Sequence, residues 1–154
     1  MAAIHKIGED FFEDSFSLIA LHTSLEDYAL GYALNKSLKV NFRRTRKDFE
    51  IKPSVSFHIF EWRDEVNDSH WSLIANNSVK LVYTSGRDLF GDEPTFAKNY
   101  LLPEYKEVDF FIKIEQDYLD GTHLIVKQLL GMPEILTAYR IDVENLKSKN
   151  NLIF

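Results

Sequence analysis

The stretch SFSLIALHTSLEDYALGYALNKSLKVNFR, Ser15 to Arg43, decides how the chain is read. Ser15 to Thr23 is a short apolar run with little polar alternation, the pattern of a strand buried on both faces. Thr23-Ser24-Leu25-Glu26 then has capping-box spacing, in which a hydroxyl and a carboxylate satisfy orphan backbone donors at a helix start. Leu25, Tyr28, Ala29, Tyr32 and Ala33 recur at helical spacing and predict the buried face of that helix. The pattern lapses near Asn35 to Leu38. Lys39 to Arg43 alternates with period two and predicts a second, more exposed strand. The segment reads as β-α-β.

Beyond Pro53, Val55 to Trp62 and Trp71 to Ala75 are rich in aromatic and β-branched residues and flank polar Arg63 to Ser69, predicting a hairpin. Asn76-Asn77 reads as a turn into a third strand, Ser78 to Thr84. Ser85-Gly86 and Gly91 to Pro94 punctuate a loop, and Thr95 to Leu102 fits a helical turn and a strand equally. Val108 to Ile114 is a strand. Asp117 reads as the cap of a helix carrying Tyr118, Thr122, Ile125, Val126 and Leu129, ended by Gly131 and Pro133. Ile135 to Ile141 returns as a strand parallel to Val108 to Ile114, beside it or one strand removed. The expected fold class is α/β, an α+β sandwich: two β-α-β units with an intervening antiparallel meander, ferredoxin-like or ACT-like, in one domain over residues 1–154.

The 154 residues, 45% hydrophobic with two Trp, seven Tyr and twelve Phe, suffice for one sizeable core and exclude disorder over most of the length. The chain has no cysteine, which excludes a disulfide framework, cysteine-ligated zinc, iron-sulfur clusters and a thiol nucleophile. Met1 to Gly8 contains no apolar run and is followed by Glu9, Asp10, Glu13 and Asp14, unlike a signal or transit peptide, so a cytoplasmic location is expected. No stretch approaches the roughly 18 apolar residues of a membrane span. The Asn67-Asp68-Ser69 and Asn76-Asn77-Ser78 sequons therefore read as coincidences.

No metal or cofactor is expected. His5, His22, His58, His70 and His123 are scattered without ligand spacing; His58 and His70, on opposite arms of the hairpin, are the pair placed to face one another. Nucleophile-elbow, Walker and dinucleotide glycine motifs are absent, and six glycines leave little material for a phosphate cradle. Asp88 to Glu93 gathers three carboxylates without the alternation of a calcium loop. Glu104, Glu107 and Asp109 read as capping or strand-flanking groups rather than an acid-base pair.

Charge layout carries more. Lys39 to Lys52 holds six basic residues and two acids, a local +4 in a chain of net charge −6. Arg43, Arg44, Arg46 and Lys47 are the candidate interaction residues. With Phe42 and Phe49 interleaved, the strip has the components to grip phosphates and stack bases of RNA. Overall acidity favours instead an acidic protein partner, or acids of the same chain.

Leu102-Pro103-Glu104-Tyr105-Lys106-Glu107-Val108-Asp109-Phe110 resembles the signature of the IPExxxVDY family of Bacteroidetes proteins, small chains of similar length. The similarity extends to Ser24 to Tyr28, Phe60-Glu61-Trp62 and Leu146 to Lys149. Leu102 stands where the pattern has Ile, and Phe110 where it has Tyr, so no phenol chemistry operates at Phe110. The resemblance implies no particular activity; genes of that family lie near those for ribonuclease III and pyruvate kinase, which points to an RNA-linked role or to regulation in central metabolism. The expected function is a non-enzymatic interaction or regulatory module for a protein partner or small ligand. The alternative is an RNA-binding accessory protein using residues 39–52, and an enzyme acting through loop carboxylates ranks third. A homo-oligomer is compatible with all three.

Overall fold

The computed structural model describes residues 16–83, 94–116 and 121–154. Among the described residues, ten strands and two α-helices follow in chain order: β1 (Phe16–Thr23), α1 (Asp27–Leu38), β2 (Arg43–Arg44), β3 (Phe49–Lys52), β4 (Val55–Phe57), β5 (Ile59–Asp64), β6 (Ser69–Ala75), β7 (Asn77–Tyr83), β8 (Pro94–Tyr100), β9 (Phe110–Gln116), α2 (Thr122–Leu130) and β10 (Ile135–Ile141). Six strands form one sheet in the order β10-β1-β9-β6-β5-β2, and every neighbouring pair is antiparallel. Two-stranded ribbons, β3-β4 and β7-β8, stand apart from it. No helix among the described residues is long and apolar enough to cross a membrane.

The expected pair of β-α-β units, ferredoxin-like or ACT-like, is overturned by this β-rich antiparallel sheet. Lys39 to Arg43 is not a strand: Lys39 ends α1 in the left-handed conformation at φ 56°. The side chain of Asn35 then takes the place of a strand neighbour, its Oδ1 accepting from Phe42 N–H at 2.7 Å and its Nδ2 donating to Phe42 O at 3.1 Å. Only Arg43–Arg44 pairs, with β5 at the far edge of the sheet. The meander breaks at both ends as well. Val55 to Trp62 is interrupted at His58, so that β4 pairs with β3 while β5 pairs with β6. After Asn76 the chain leaves the sheet, and β7 pairs with β8, where Thr95 to Tyr100 resolves as strand.

Val108 to Ile114 corresponds to β9, in the interior of the sheet. β10 lies one strand from it and runs the same way, because both oppose the intervening β1. Asp117 and Tyr118, the Asp88 to Glu93 carboxylates and His5 lie outside the described residues. α2 begins at Thr122, preceded by Gly121 at φ 94°, a backbone angle that favours glycine.

Both helices cover one face, where Leu30, Leu34 and Leu129 pack with Ile19, Leu21, Leu73 and Ile112. α1 turns a different side inward from the one its spacing predicts. Leu30, Gly31 and Leu34 are buried, whereas Tyr28 and Tyr32 are 66% and 72% exposed. The capping box does not form. Thr23 Oγ1 accepts from Leu25 N–H at 3.2 Å and donates to Glu134 O at 2.8 Å, and Glu26 makes no side-chain cap. The opposite face packs Leu18, Phe57, Ile74 and Phe111 against Leu101, Leu102, Val108 and the C-terminal Leu146 and Leu152.

Candidate functional site

The 102–110 stretch is a structural joint. Leu102 and Val108 are buried, and Pro103 opens a 3-10 turn over Pro103–Tyr105. Its polar contacts converge on Asn76, which is fully buried. Asn76 Nδ2 donates to Tyr105 O at 2.7 Å and Val108 O at 2.9 Å, and its Oδ1 accepts from Leu102 N–H at 3.0 Å. Asp109 Oδ2 accepts from Thr23 N–H at 3.0 Å, tying the joint to the end of β1. Glu104 accepts from the backbone N–H groups of Lys147 and Ser148 and from the Ser148 hydroxyl, which fastens the C-terminal segment. Burial pushes the Glu104 carboxyl upward, but those donors outweigh it and hold its pKa below the usual carboxylate value. Phe110 lies in the helix-side core, where its ring has only apolar work.

A second polar centre sits under the C-terminal segment. Lys113, 2% exposed, points out of β9 away from the helices. Its Nζ donates to Leu152 O at 2.6 Å, lies 3.2 Å from Glu115 Oε1, and faces the rings of Phe16 and Phe154 at 4.8 and 4.2 Å. Burial lowers its pKa, and the Glu115 charge opposes that shift. Glu115 also accepts from His70 Nδ1 at 2.9 Å; an ionised carboxylate has no hydrogen to give, so this nitrogen carries the proton. Sequence reasoning missed Lys113. Its one signal is a lysine inside the otherwise apolar run FFIKI.

His58 and His70 do not face each other. His70 pairs across the hairpin with Arg63, whereas His58 occupies the break between β4 and β5 and donates from Nδ1 to Asp27 Oδ2 at 2.6 Å. Among the described residues no group of three or more potential ligands is placed to hold a metal ion. His58, Asp27 and Asp48 line a cleft of about 530 Å³, yet both carboxylates are already engaged, Asp27 by His58 and Asp48 by Arg44.

The basic strip divides. Arg44 turns inward: it pairs with Asp48, donates to Ile59 O at 3.3 Å, and sets its guanidinium carbon 5.8 Å from the centre of the Phe60 ring. Arg43, Arg46 and Lys47 are exposed. Phe42 is 5% exposed and packs in the helix-side core, and Phe49 packs at a tilt against Phe154 with centroids 4.5 Å apart, so both interleaved aromatics are engaged within the chain. Among the described residues, the exposed Phe, Tyr and Trp side chains are Tyr28 and Tyr32, one turn apart on α1. Tyr28 meets Phe60 edge to face at 5.5 Å, on the ring that Arg44 covers, so Tyr28 and Arg44 share one aromatic support. Lys36 is exposed on the same helix.

Comparison of the chain with protein-family models, curated proteins and solved structures finds no match.

Proposed function

We propose that the chain is a non-enzymatic, cytoplasmic interaction module that docks an acidic protein partner where α1 meets the β2 edge. The carrying observation is the pair Tyr28 and Tyr32, 66% and 72% exposed, with Tyr28 set on the Phe60 ring that Arg44 of the basic strip covers. Tyrosine and arginine are the residue types that dominate protein interfaces, because they present large area at low entropic cost and combine apolar contact with polar handles. The positive edge of an otherwise acidic chain steers an acidic surface toward them. The inward turn of Phe42 and Phe49 weakens the RNA reading, since the strip then grips phosphate without stacking. In this reading the IPExxxVDY-like stretch serves the fold and not the contact.

The test is capture from native lysate by the purified chain, by a Tyr28→Ala/Tyr32→Ala variant, and by an Arg43→Ser/Arg46→Ser/Lys47→Ser variant. The expected result is an acidic partner retained after nuclease treatment, with binding to the tyrosine variant reduced at least about tenfold and folding stability within about 1 kcal/mol of the parent. Capture that disappears with nuclease, or that ignores both sets of substitutions, overturns the proposal. The first outcome selects the RNA-binding alternative.

A further inference from the structure

His58 sits in the break between β4 and β5 and reaches two parts of the chain at once. Its Nδ1 donates to Asp27 Oδ2 at 2.6 Å, and the other oxygen of that carboxylate accepts from Tyr28 N–H at 2.8 Å. On the far side of the ring, Nε2 lies 4.0 Å from Asp48 Oδ2, while Asp48 Oδ1 holds Arg44. Arg44 and Tyr28 both rest on the Phe60 ring. The contacts therefore close on themselves, from Tyr28 through Asp27, His58, Asp48, Arg44 and Phe60 back to Tyr28. They join the tyrosine helix to the segment that carries Arg46 and Lys47 directly before Asp48.

We infer that His58 is a proton-operated link in the docking surface: a proton on Nε2 ties α1 to the segment ending at Asp48, and capture of an acidic partner tightens as the solution is acidified. The inference rests on the docking reading above. The Nδ1 hydrogen is committed to Asp27 in both charge states, so the proton that comes and goes is the one on Nε2. Without it, Nε2 turns a lone pair toward the Asp48 carboxylate. With it, the same nitrogen is a charged donor facing an acceptor. Imidazole is the side chain whose ordinary charge change falls between about pH 5 and 8. The His58 side chain is 55% exposed and open to protons from solvent.

Electrostatics gives the sign. The cleft that His58 lines also holds Glu26, Asp27 and Asp48, and its remaining lining residues are uncharged. Among the described residues, the cation paired with any of these carboxylates, His58 apart, is Arg44 on Asp48. While His58 is neutral the carboxylates outnumber that cation, and their field next to Tyr28 repels an acidic partner. A proton on His58 offsets one of them. By drawing on Asp48 it also tightens the segment that presents Arg46 and Lys47, the cations that steer such a partner.

Two measurements on the full chain test this. In the free protein, amide NMR should show Tyr28 N–H shifting together with the His58 ring protons between about pH 8 and about pH 6, because one carboxylate bonds both groups. His58→Gln keeps a donor for Asp27 without the charge, so its Tyr28 amide should not shift. For docking, fluorescence anisotropy of a labelled oligoglutamate of about ten residues, at constant ionic strength, should give at least about threefold tighter binding at about pH 6 than at about pH 8. The same comparison in His58→Gln should change by less than about 1.5-fold. A Tyr28 amide that ignores the His58 titration, an affinity that is flat or falls on acidification, or an equal gain in His58→Gln overturns the inference and leaves the docking reading standing. A peptide that binds at neither pH, or that binds the Tyr28→Ala/Tyr32→Ala variant as well as the parent, overturns the docking reading and this inference with it.

Discussion

Asn76→Ala should be among the most damaging single substitutions in the chain, although the sequence presents Asn76 as half of a turn. Its side chain is fully buried and supplies three hydrogen bonds, to Tyr105 O, Val108 O and Leu102 N–H, at 2.7 to 3.0 Å. Removing it strands two backbone groups, Leu102 N–H and Val108 O, each at a cost of about 1–3 kcal/mol when no other partner is reached, while Tyr105 O keeps the Val108 N–H at 3.1 Å. Its own backbone stays bonded to Asp109 O and Leu101 N–H, so the chain path at this position cannot readily adjust to supply replacements. With partial relaxation and water entry the net loss is about 4 kcal/mol, a large share of the 5–15 kcal/mol typical of a folded domain. Asn76→Asp should be at least as harmful. A carboxylate still accepts from Leu102 N–H but presents lone pairs to two carbonyl oxygens, and it is buried without a counter-charge. Urea unfolding at equilibrium, followed by tryptophan fluorescence, measures both variants. Asn77→Ala serves as the neighbouring control and should stay within about 0.5 kcal/mol of the parent. An Asn76→Ala protein within about 1 kcal/mol of the parent would show that the joint does not depend on this amide.

Gly31→Ala should stabilise the chain by about 0.5–1 kcal/mol, because a Cβ there reaches only ordinary contact with Phe60 at 3.9 Å while α1 gains helix propensity; a lowered melting temperature would contradict this packing. Lys113 should make stability rise with pH in the alkaline range: its folded-state pKa lies below 10.5, so between the two values the unfolded chain holds a proton that the folded chain has released. Lys113→Met should abolish that slope in unfolding free energies measured between about pH 8 and 10, and equal slopes in the two proteins would refute the assignment.

The strands that form the middle of the sheet were legible because burial on both faces leaves apolar runs, as in Phe16 to Leu21 and Phe110 to Ile114. Their neighbours were not, since each pairing of β1 and β9 joins segments far apart in sequence. α1 illustrates a finer ambiguity. Tyr28 with Tyr32 and Leu30 with Leu34 are both spaced four apart, so periodicity alone offers two candidate faces. Packing on the sheet separates them: Leu30, Gly31 and Leu34 are buried against it, and the tyrosines face outward. Val40 and Phe42 misled for a related reason. They alternate as in a strand and are buried as in a strand, but Asn35 from α1 supplies the hydrogen bonds that a neighbouring strand would have given. The role of Asn76 depends on partners at Tyr105 and Val108, so nothing local announces it, and the lysine inside FFIKI marks Lys113 as unusual without pointing to its partner at Leu152.

Arg44 shows why the basic strip cannot act as the unit its sequence suggests. Its β2 position faces Phe60 on the helix side of the sheet, where Asp48, Thr45 and Ile59 O hold the guanidinium in place. Arg43, one residue earlier, points to the other side by the alternation of a strand and sits opposite Glu61. A two-residue strand therefore sends its two arginines to opposite faces, one fixing Phe60 under Tyr28 and the other meeting solvent. Replacing Arg44 disturbs the support of the tyrosine surface, whereas replacing Arg43, Arg46 or Lys47 removes only field. The two kinds of substitution then separate steering from docking: the exposed cations set how fast an acidic partner arrives, and the ring beneath Tyr28 sets how long it stays.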